Sequence, residues 1–394
     1  MPNRAARGSF LRMTKALPHV SPRDLAVQPL ARAETIPSSW YTDPAFHALE
    51  RDAIFARTWQ FVTHASRVAN AGEHVVATVA DNPVIVVRGK DRVLRAFYNV
   101  CRHRGGPLAL EDGCAKALQC KYHGWTYLLD GSLRGVPAFD RVELFDKKDY
   151  GLTPVRLAEW QGLVFVNLDE RPEPIAQLTK GIDERLTPGE LPSLGFYRRL
   201  DYAVACNWKV YVDNYMEAYH VPHVHPELFT LYDFQSYQTE AHDSWTVQYS
   251  PLDSGKTGYG GGNGRGNGAG MAWYFCIFPA FMLNIMPGRL QTNRVIPLAA
   301  DRCLVRFEYY YADLGSDAAR ARADQDIAFS DRVQHEDIAI CEHVQKGLGS
   351  RAYDRGRLSV KFEEGVYRFQ VMLKAAYRRA LRGRRGRARG ASRA

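Results

Sequence analysis

Short apolar runs with turn residues between them predict a β-rich region in the first half of the chain. Three valine-rich runs follow one another closely: HVVATVA at 74–80, VIVVRG at 84–89 and VLRAFYNV at 93–100. The dipeptide Asn82-Pro83 separates the first two runs and predicts a turn there. Further short strands are predicted within 117–136 and at 162–168, so the region predicts a small antiparallel β domain.

A helix is predicted before this region, over residues 40–66, where Asp43-Pro44 provides the start signal. Its candidate buried positions are Phe46, Leu49, Ile54 and Trp59. After the β-rich region, from about residue 170, a proline-interrupted segment that becomes helical indicates a domain junction.

The second half of the chain predicts a second sheet and a long helix. Its longest apolar run, 271–286, is interrupted by Pro279 and Asn284. This run is shorter than the roughly 20 residues of a membrane-spanning helix, and it predicts two buried strands instead. The glycine-rich segment 255–270 predicts a mobile loop. Further elements are predicted in this half: strands at 291–297 and 303–311, and a helix at 317–345.

The net charge of +9 is concentrated at the ends of the chain. No acidic residue follows Glu364, and nine basic residues lie between Lys374 and the C-terminus. The body is therefore close to neutral, which argues against nucleic-acid binding. We expect four segments: a flexible basic leader at 1–37, a first domain with the N-terminal helix at 38–170, a second domain at 171–374 and a disordered basic tail at 375–394.

The cysteine content indicates a reducing compartment. Seven cysteines are an odd number without a paired framework, and no N-terminal stretch combines a long apolar core with a small-residue cleavage site. Because no segment predicts a membrane span either, we expect a cytoplasmic protein.

Four metal-type side chains lie on two predicted loops of the first domain. The arrangement is Cys101-x-His103, a spacer, and Cys120-x-x-His123. Two thiolates and two imidazoles form a tetrahedral zinc set, but zinc fingers usually group Cys with Cys and His with His. One Cys and one His from each loop suit a [2Fe–2S] cluster in which one iron takes both thiolates and the other both imidazoles. Glycines in both loops would let backbone N–H groups approach the cluster sulfides.

A second group of metal-type residues occurs in the aromatic and acidic segment NWKVYVDNYMEAYHVPHVHPELF. Its members are Asp213, Asn214, Glu217, His220, His223 and His225. Two imidazoles and one carboxylate with open coordination positions are typical of non-haem Fe(II) oxygenases. On a regular helix His220 and His223 lie about 60° apart, whereas His220 and His225 lie about 140° apart. Pro222 and Pro226 disrupt a regular helix, so periodicity leaves the choice of histidines open.

Together the two motifs resemble a known family. The stretches CRHRGG and CKYHGWTY, followed by NWKVYVDNYMEAYHVPHVH, are similar to the α subunits of Rieske non-haem iron ring-hydroxylating oxygenases. The resemblance is to the branch that oxidises choline, carnitine and glycine betaine, and it extends over about residues 38–374. It implies an α+β fold with an N-terminal antiparallel β Rieske domain and a C-terminal catalytic domain, in which helices flank an antiparallel sheet in a helix-grip-like arrangement.

The resemblance also implies roles for individual residues. It implies that His220 and His225 ligate a mononuclear iron. In the late segment HEDIAICE it implies Asp337 as the third ligand, with the adjacent Glu336 as the lesser candidate. It implies that Glu217 bridges an iron ligand to a cluster histidine of the next subunit. The catalytic candidates are thus Glu217, Asp213, as the alternative bridge, and Asn214.

The cofactors and partners follow from the same resemblance. The cofactors are a Rieske [2Fe–2S] cluster and a mononuclear Fe(II), with O2 as co-substrate. Electrons come from NAD(P)H through a separate flavin-containing reductase, with or without a ferredoxin domain. A homotrimer with electron transfer between subunits is implied, since a head-to-tail interface must close into a ring or polymerise.

The implied reaction is the hydroxylation of a small organic substrate, a quaternary amine such as choline, carnitine or betaine, by monooxygenation or demethylation. An aromatic ring-hydroxylating dioxygenase is the alternative within the family. An electron-transfer Rieske protein and a zinc-binding module are alternatives outside it. Aromatic residues near the iron could surround a trimethylammonium group, stack on an arene or belong to the core. They are Tyr211, Tyr215, Tyr219, Phe229, Tyr232, Phe234, Trp273 and Phe275.

Overall fold

The computed structural model describes residues 18–231, 236–252 and 270–391. Residues 1–17 of the predicted leader and 253–269 of the predicted glycine-rich loop lie outside this part of the chain, as do Tyr232 and Phe234. Within the described ranges no helix is both long and apolar enough to cross a membrane.

The first sheet forms between residues 60 and 167, as the short valine-rich runs predict, and all its strand pairs are antiparallel. Val84 to Val87 are fully buried, because this strand is covered on both faces. The order of the seven strands in the sheet is β1-β10-β9-β4-β3-β2-β5, and β6, β7 and β8 form a separate small sheet. The bounds are β1 Gln60–His64, β2 Glu73–Val79, β3 Asn82–Arg88, β4 Leu94–Tyr98, β5 Gly113–Cys114, β6 Leu118–Gln119, β7 Thr126–Tyr127, β8 Leu133–Gly135, β9 Pro154–Trp160 and β10 Leu163–Asn167.

The turn between β2 and β3 lies two residues earlier than predicted. Ala80 and Asp81 have φ values of 47° and 62° and form the turn, whereas Asn82 pairs with Val79 and Pro83 is already part of β3. Positive φ at both central residues matches the twist of the two flanking strands. Proline is tolerated there because it stands near the start of the strand.

The second sheet has seven antiparallel strands in the order β11-β17-β16-β15-β14-β13-β12. The apolar run 271–286 forms β14 and β15, which confirms the prediction of two buried strands. One face of this sheet packs on the first sheet, where Phe275 and Phe281 share a core with Phe61 and Phe165. The bounds are β11 Gly195–Val204, β12 Gln238–Ala241, β13 Trp245–Pro251, β14 Met271–Ile277, β15 Phe281–Met286, β16 Arg289–Ala299 and β17 Arg302–Tyr311.

Helices cover the other face of the second sheet, and the fold is therefore α+β as predicted. Helix α6 contacts β16, α9 contacts β11, and α10 contacts β12 and β13. The bounds are α1 Pro22–Leu25, α2 Ser39–Thr42, α3 Pro44–Glu50, α4 Ile175–Leu178, α5 Glu190–Ser193, α6 Trp208–Tyr215, α7 Val221–Val224, α8 Pro226–Leu231, α9 Asp317–Leu348 and α10 Glu364–Ala391.

The predicted helix over 40–66 is divided and packs elsewhere than expected. It consists of α2, α3 and a π-helical turn at Arg51–Phe55, and β1 starts before the predicted end. Asp43 caps α3, since its side chain accepts a hydrogen bond from Ala45 N. Trp40 and Phe46 pack in the core of α6 and α10 rather than on the first sheet. We predicted that these helices belong to the first domain, but they pack on the second.

The predictions for the two chain ends are also wrong in part. The expected disordered tail begins at 375, yet α10 continues to Ala391 and buries Tyr377 completely. Phe369, Leu373 and Tyr377 recur every four residues and face the core, which holds the helix in place. The expected leader ends at 37, yet Ile36 is buried and its N–H donates to Gln370 Oε1 at 2.9 Å.

A charged network joins the first sheet to the second. Glu308 on β17 accepts hydrogen bonds from Arg67 at 3.1 Å and Arg199 at 2.8 Å. Asp112 accepts from the same two arginines at 2.7 and 3.3 Å, and from Val76 N at 2.9 Å. Asp112 stands between the two loops of the Cys/His motif. The network therefore fixes this segment against the second sheet.

Candidate functional site

The two loops of the Cys/His motif have the same backbone structure. Cys101 N donates to Gly106 O at 2.8 Å, and Gly105 N donates back to Cys101 O at 3.0 Å. In the second loop Cys120 N donates to Trp125 O at 2.8 Å, and Gly124 N donates to Cys120 O at 3.1 Å. Gly105 and Gly124 have φ values of 75° and 74°, which favour glycine. The repeated glycines of the motif therefore shape two equivalent turns.

These turns bring the four predicted cluster ligands into one region. Cys101 and Cys120 are buried, whereas His103 is half-buried and His123 is exposed. The two imidazole rings lie 4.8 Å apart, centre to centre. Buried His103 Nδ1 has no hydrogen-bond partner among the described residues, which a metal bond would explain. Two inner thiols and two outer imidazoles fit a Rieske cluster.

Two further residues adapt the loops to a cluster. Tyr127 Oη accepts from Arg102 N at 3.0 Å and lies 3.3 Å from Cys101 Sγ, so its O–H is within hydrogen-bond distance of a cluster-bound thiolate. A Cβ at Gly106 would lie 2.9 Å from Cys120 Sγ, so glycine is needed for this close approach. The sequence pattern did not single out Tyr127.

The second predicted site forms between the short helix α7 and the long helix α9. His220 caps the start of α7 and His225 its end, because Pro222 and Pro226 limit this helix to a single turn. Asp337 Oδ1 lies 3.5 Å from His220 Nε2 and 3.0 Å from His225 Nε2.

One ligand atom from each of His220, His225 and Asp337 lies within 4.8 Å of the others. His223, which helical periodicity would pair with His220, is exposed and outside this group. Two imidazoles and one carboxylate at this separation fit a mononuclear Fe(II).

Each of the three candidate iron ligands is held by a further side chain. Glu217 Oε1 lies 2.7 Å from His220 Nδ1, and Glu336 Oε2 lies 2.6 Å from His225 Nδ1. Asn214 Nδ2 donates to Asp337 Oδ1 at 2.6 Å. Carboxylates on Nδ1 fix the ring orientation and turn Nε2 toward the metal position. Glu336 is thus placed to orient His225 rather than to act as a ligand.

The charges of the metal group are strongly coupled. Burial raises the pKa of Asp337, but hydrogen bonds from His220 and His225 outweigh it and lower this pKa to about 2. Burial lowers the pKa of His220, but its bonds to Asp337 and Glu217 raise it to about 9. A metal ligand must give up its proton, so a divalent cation would replace the protons that these groups share.

Asp213 lies on the other side of α6 from the metal group. Its Oδ2 accepts a hydrogen bond from Tyr41 Oη at 2.5 Å, and burial raises its pKa to about 7 despite this bond. Asp213 does not line the cavity at the metal group, whereas Glu217 does. The structure therefore does not bring the alternative bridge residue to the site.

A cavity of about 130 Å³ opens beside the metal group. Its aromatic walls are formed by Tyr211, Tyr215, Tyr237, Tyr274 and Phe307. Its amide side chains are Asn214, Gln248, Asn284, Gln291, Asn293 and Gln334. Among the lining residues that the structure describes, none is Lys or Arg. The cavity therefore combines aromatic faces, neutral amides and carboxylates.

Several aromatic candidates lie away from this cavity. Trp273 and Phe275 point to the opposite face of β14, where they pack on the first sheet, and Tyr274 between them lines the cavity instead. Tyr219 is half exposed and stacks on Phe362, with 5.0 Å between ring centres. Successive side chains of a strand point to opposite faces of the sheet. Once Trp273 and Phe275 are known to face the first sheet, this alternation assigns Tyr274 to the cavity face.

Comparisons with known proteins match nearly the whole chain. Residues 58–146 match the Rieske [2Fe-2S] domain, and residues 191–379 match the ring hydroxylating alpha subunit (catalytic domain). The chloroplastic choline monooxygenase of Arabidopsis thaliana is 35% identical over 358 residues, which cover 88% of this chain and 83% of that protein. The carnitine monooxygenase oxygenase subunit of Acinetobacter baumannii is 32% identical over 369 residues. These residues cover 89% of this chain and 97% of that protein.

A solved structure is similar over the same extent. It is that of a quaternary ammonium Rieske monooxygenase, described for its insights into carnitine oxidation and inter-subunit electron transfer. The TM-score is 0.82 at 31% identity, and the match covers 89% of this chain and 99% of that chain. The similarity therefore includes both the Cys/His loops and the metal group on α7 and α9.

Proposed function

The chain belongs to the family of Rieske ring-hydroxylating oxygenase α subunits, and we propose that it oxidises a quaternary amine. It is the terminal oxygenase component of a Rieske-type system. The observation that carries the substrate proposal is the composition of the cavity beside the metal group. The names of the relatives, choline monooxygenase and carnitine monooxygenase, point to the same class of substrate.

The cavity suits a cation that cannot donate hydrogen bonds. Rings such as those of Tyr211, Tyr215 and Tyr274 attract a trimethylammonium group through their negative faces. Glu217 adds a negative charge at one end, whereas a bound iron would neutralise the charge of Asp337. Among the described lining residues no Lys or Arg opposes a cation, whereas an uncharged arene would make no use of this charge pattern.

The residues of the chain have separate tasks in this proposal. When bound, the cluster supplies single electrons and the mononuclear iron activates O2. Asp337, His220 and His225 hold the iron, and Glu217 and Glu336 keep the imidazoles oriented. The aromatic walls hold an N-methyl group toward the iron and exclude water. One oxygen atom of O2 enters a C–H bond, and electrons and protons from the reductant convert the other to water.

We also propose a head-to-tail homotrimer in which electrons cross between subunits. Such a contact would join the cluster loops of one subunit to the surface near Glu217 of the next, and exposed apolar side chains lie at both of these places. Near the cluster loops these are Leu110, Tyr122, Val142 and Leu144. Near Glu217 they are Tyr219, Phe229 and Val360. Burying the two groups against each other would bring exposed His123 of one subunit to the bridging acid of the next.

The assembly is tested with one charge introduced on this surface. Leu144 is fully exposed, and Leu144→Glu should shift the trimer toward monomers in sedimentation velocity, because it would bury a carboxylate. Leu298, also exposed but on the second sheet, provides the control Leu298→Glu, which should leave assembly unchanged. Equal sedimentation of both variants and of the native chain would contradict this interface.

The remaining partners belong to the same proposal. A flavin-containing NAD(P)H reductase, with or without a ferredoxin domain, delivers the electrons. All seven cysteines are free, which fits a reducing compartment, and we propose the cytoplasm.

The function is tested by metal content and oxygen uptake. The purified protein should be coloured, contain about three iron atoms per chain and show a Rieske electron paramagnetic resonance signal after reduction. With a reductase and NADH, quaternary amines should stimulate product formation, whereas small aromatics should not. Colourless protein with zinc and without sulfide would overturn the oxygenase function. Hydroxylation of arenes but not of amines would overturn the substrate class.

A further inference from the structure

A second cavity, of about 230 Å³, lies away from the metal group, where the N-terminal segment meets α10. Its lining residues come from three parts of the chain: 23–35, 355–357 and 367–374. Thr35 N donates to Gly356 O at 3.1 Å, which joins the first part to the second. Tyr367 Oη donates to Gln28 O at 2.7 Å, which joins α10 to the first part. Hydrogen bonds within the protein therefore fix the walls of this cavity.

The charged side chains of this cavity are mostly basic. The lining contains five cations and one carboxylate: Arg23, Arg32, Arg355, Arg357, Lys374 and Glu34. Glu34 is shared between two guanidinium groups, with 3.9 Å to Arg23 Nη2 and 3.8 Å to Arg357 Nη2. Asp24 and Asp354 pair with Arg355 at 2.6 and 3.2 Å. Five positive charges thus face three negative ones, which leaves an excess of two positive charges.

Lys374 has the least compensation among these cations. Within the described part of the chain it forms no ion pair, and its Nζ donates to a backbone oxygen, Ala26 O, at 3.1 Å. The side chain is half-buried, and this burial lowers its pKa, while the nearby charges of Arg355 and Arg378 lower it further. An ammonium group has three donors, so two of them remain for a ligand or for water. An anion beside Lys374 would offset the repulsion from the two arginines.

We propose that this cavity binds a phosphate group, either as inorganic phosphate or as the monoester of a small molecule. Above about pH 7 such a group carries nearly two negative charges, which match the excess of positive charge. Guanidinium forks and lysine ammonium groups are the usual protein ligands of phosphate oxygens. A carboxylate would neutralise only one of the two charges. The lining also contains Val27 and Val371, which offer apolar contact to the organic part of an ester.

This proposal goes beyond the oxygenase function and does not depend on it. None of the residues that line this cavity belongs to the Cys/His loops, to the metal group or to the cavity beside it. The ligand would contact the N-terminal segment and α10 together. A failure of this proposal would therefore leave the assignment of both metal sites untouched.

The test is isothermal titration calorimetry of the full-length holoenzyme at constant ionic strength and about pH 8, where phosphate is a dianion. Inorganic phosphate and glycerol 3-phosphate are titrated separately, and acetate serves as the monoanion. We expect saturable binding with a Kd of about 1 mM or tighter for at least one of the two phosphates. Acetate should bind at least about tenfold more weakly than that phosphate.

Two substitutions locate the binding in this cavity. Lys374→Met removes the half-buried charge at similar length and should weaken the affinity about tenfold or more. Arg357→Gln changes a side chain that is 68% exposed and should weaken the affinity about threefold, because solvent screens its charge. Lys346→Met removes the same charge from an exposed position of α9 outside the cavity and should bind as the native chain does. If Lys374→Met does not fold, Arg357→Gln still decides the location.

Each outcome has a separate meaning. The phosphate that binds more tightly identifies the free ion or the ester as the ligand. No saturable binding of either phosphate up to about 10 mM overturns the site. Equal affinity of the native chain and of every folded cavity variant also overturns it, since the anion would then bind elsewhere. Acetate that binds as tightly as phosphate overturns the ligand class.

Discussion

The cluster region and the iron region position their metal-type side chains by different kinds of contact. The proposed cluster ligands come from two short loops, and the backbone of each loop closes on itself through bonds such as Cys101 N to Gly106 O. The proposed iron ligands come from α7 with its flanking residues and from α9, which are more than a hundred residues apart in the chain. Side chains from other positions hold them, such as Asn214 on Asp337.

This difference determines how each site should respond to change. Local backbone bonds make the cluster loops largely independent of the catalytic region. The iron site depends on Glu217, which is local, and on Glu336 and Asn214, which reach across elements, so single substitutions around it should weaken it in graded steps. We therefore expect damage to the iron region to leave the cluster intact, and the predictions below test this from the largest effect to the smallest.

The largest effect is expected for Asp337→Ala. The proposed third iron ligand is lost, and buried His225 and half-buried His220 remain without their carboxylate partner. Iron should fall from about three to about two atoms per chain, and product formation should fall at least about a thousandfold, while the visible spectrum of the cluster stays unchanged. Asp317→Ala, at an exposed position of the same helix, is the control. A variant that keeps its third iron would show that Asp337 is not a ligand.

A smaller but specific effect is expected for Glu217→Gln. This change keeps the size of the side chain and removes the charge that contacts His220. Both metals should stay bound, yet in single turnover of the reduced protein the product formed per oxidised cluster should fall about tenfold or more. Glu227→Gln, on the exposed surface of α8, should behave as the native chain. A normal product yield would exclude Glu217 as the bridge.

For Glu336→Gln we expect a change in iron affinity rather than in electron transfer. The carboxylate at 2.6 Å from His225 Nδ1 becomes an amide, which orients the ring less well and makes it less basic. Competition with an Fe(II) chelator should show an affinity about ten- to a hundredfold lower, and added Fe(II) should restore turnover. The control on the same helix is Glu342→Gln. Unchanged affinity would mean that Glu336 is an ordinary surface acid.

The smallest effect is expected in the cluster region, for Tyr127→Phe. We expect the Tyr127 hydroxyl, 3.3 Å from Cys101 Sγ, to donate to this sulfur and to stabilise the more negative, reduced cluster, so its loss should lower the reduction potential. The loss of one hydrogen bond should lower the reduction potential of this one-electron couple by about 20–60 mV. Protein-film voltammetry measures this shift, with Tyr98→Phe on β4 as the control. An unchanged potential would show that the hydroxyl does not donate to the sulfur.

The same contrast explains what the sequence could predict. The sequence predicts the cluster ligands from Cys101-x-His103 and Cys120-x-x-His123, because both their spacing and their turns are local. For the iron, spacing could not choose between His223 and His225, since two prolines interrupt the helix. Only the resemblance to a family pointed to His225 and to Asp337.

Other features of the site and of the fold depend on tertiary packing, which local sequence patterns do not predict. Glu336 and Asp337 are adjacent, and their different contacts follow from how α9 meets α7. The composition of the C-terminal stretch indicated a solvated tail, yet the spacing of Phe369, Leu373 and Tyr377 on one helical face decided the outcome.

The packing of α10 against the N-terminal segment has a consequence for synthesis of the chain. Trp40 packs on Tyr377 with 4.7 Å between ring centres, so the core of the catalytic region combines residues from the first and the last helices. At roughly 5–20 residues per second, a ribosome needs on the order of 20–70 s to proceed from the first of these residues to the second. Throughout that interval the apolar N-terminal helices lack the part of their core that α10 contributes. We therefore expect newly made chains to depend on chaperones until translation ends, whereas the cluster domain can fold while synthesis continues.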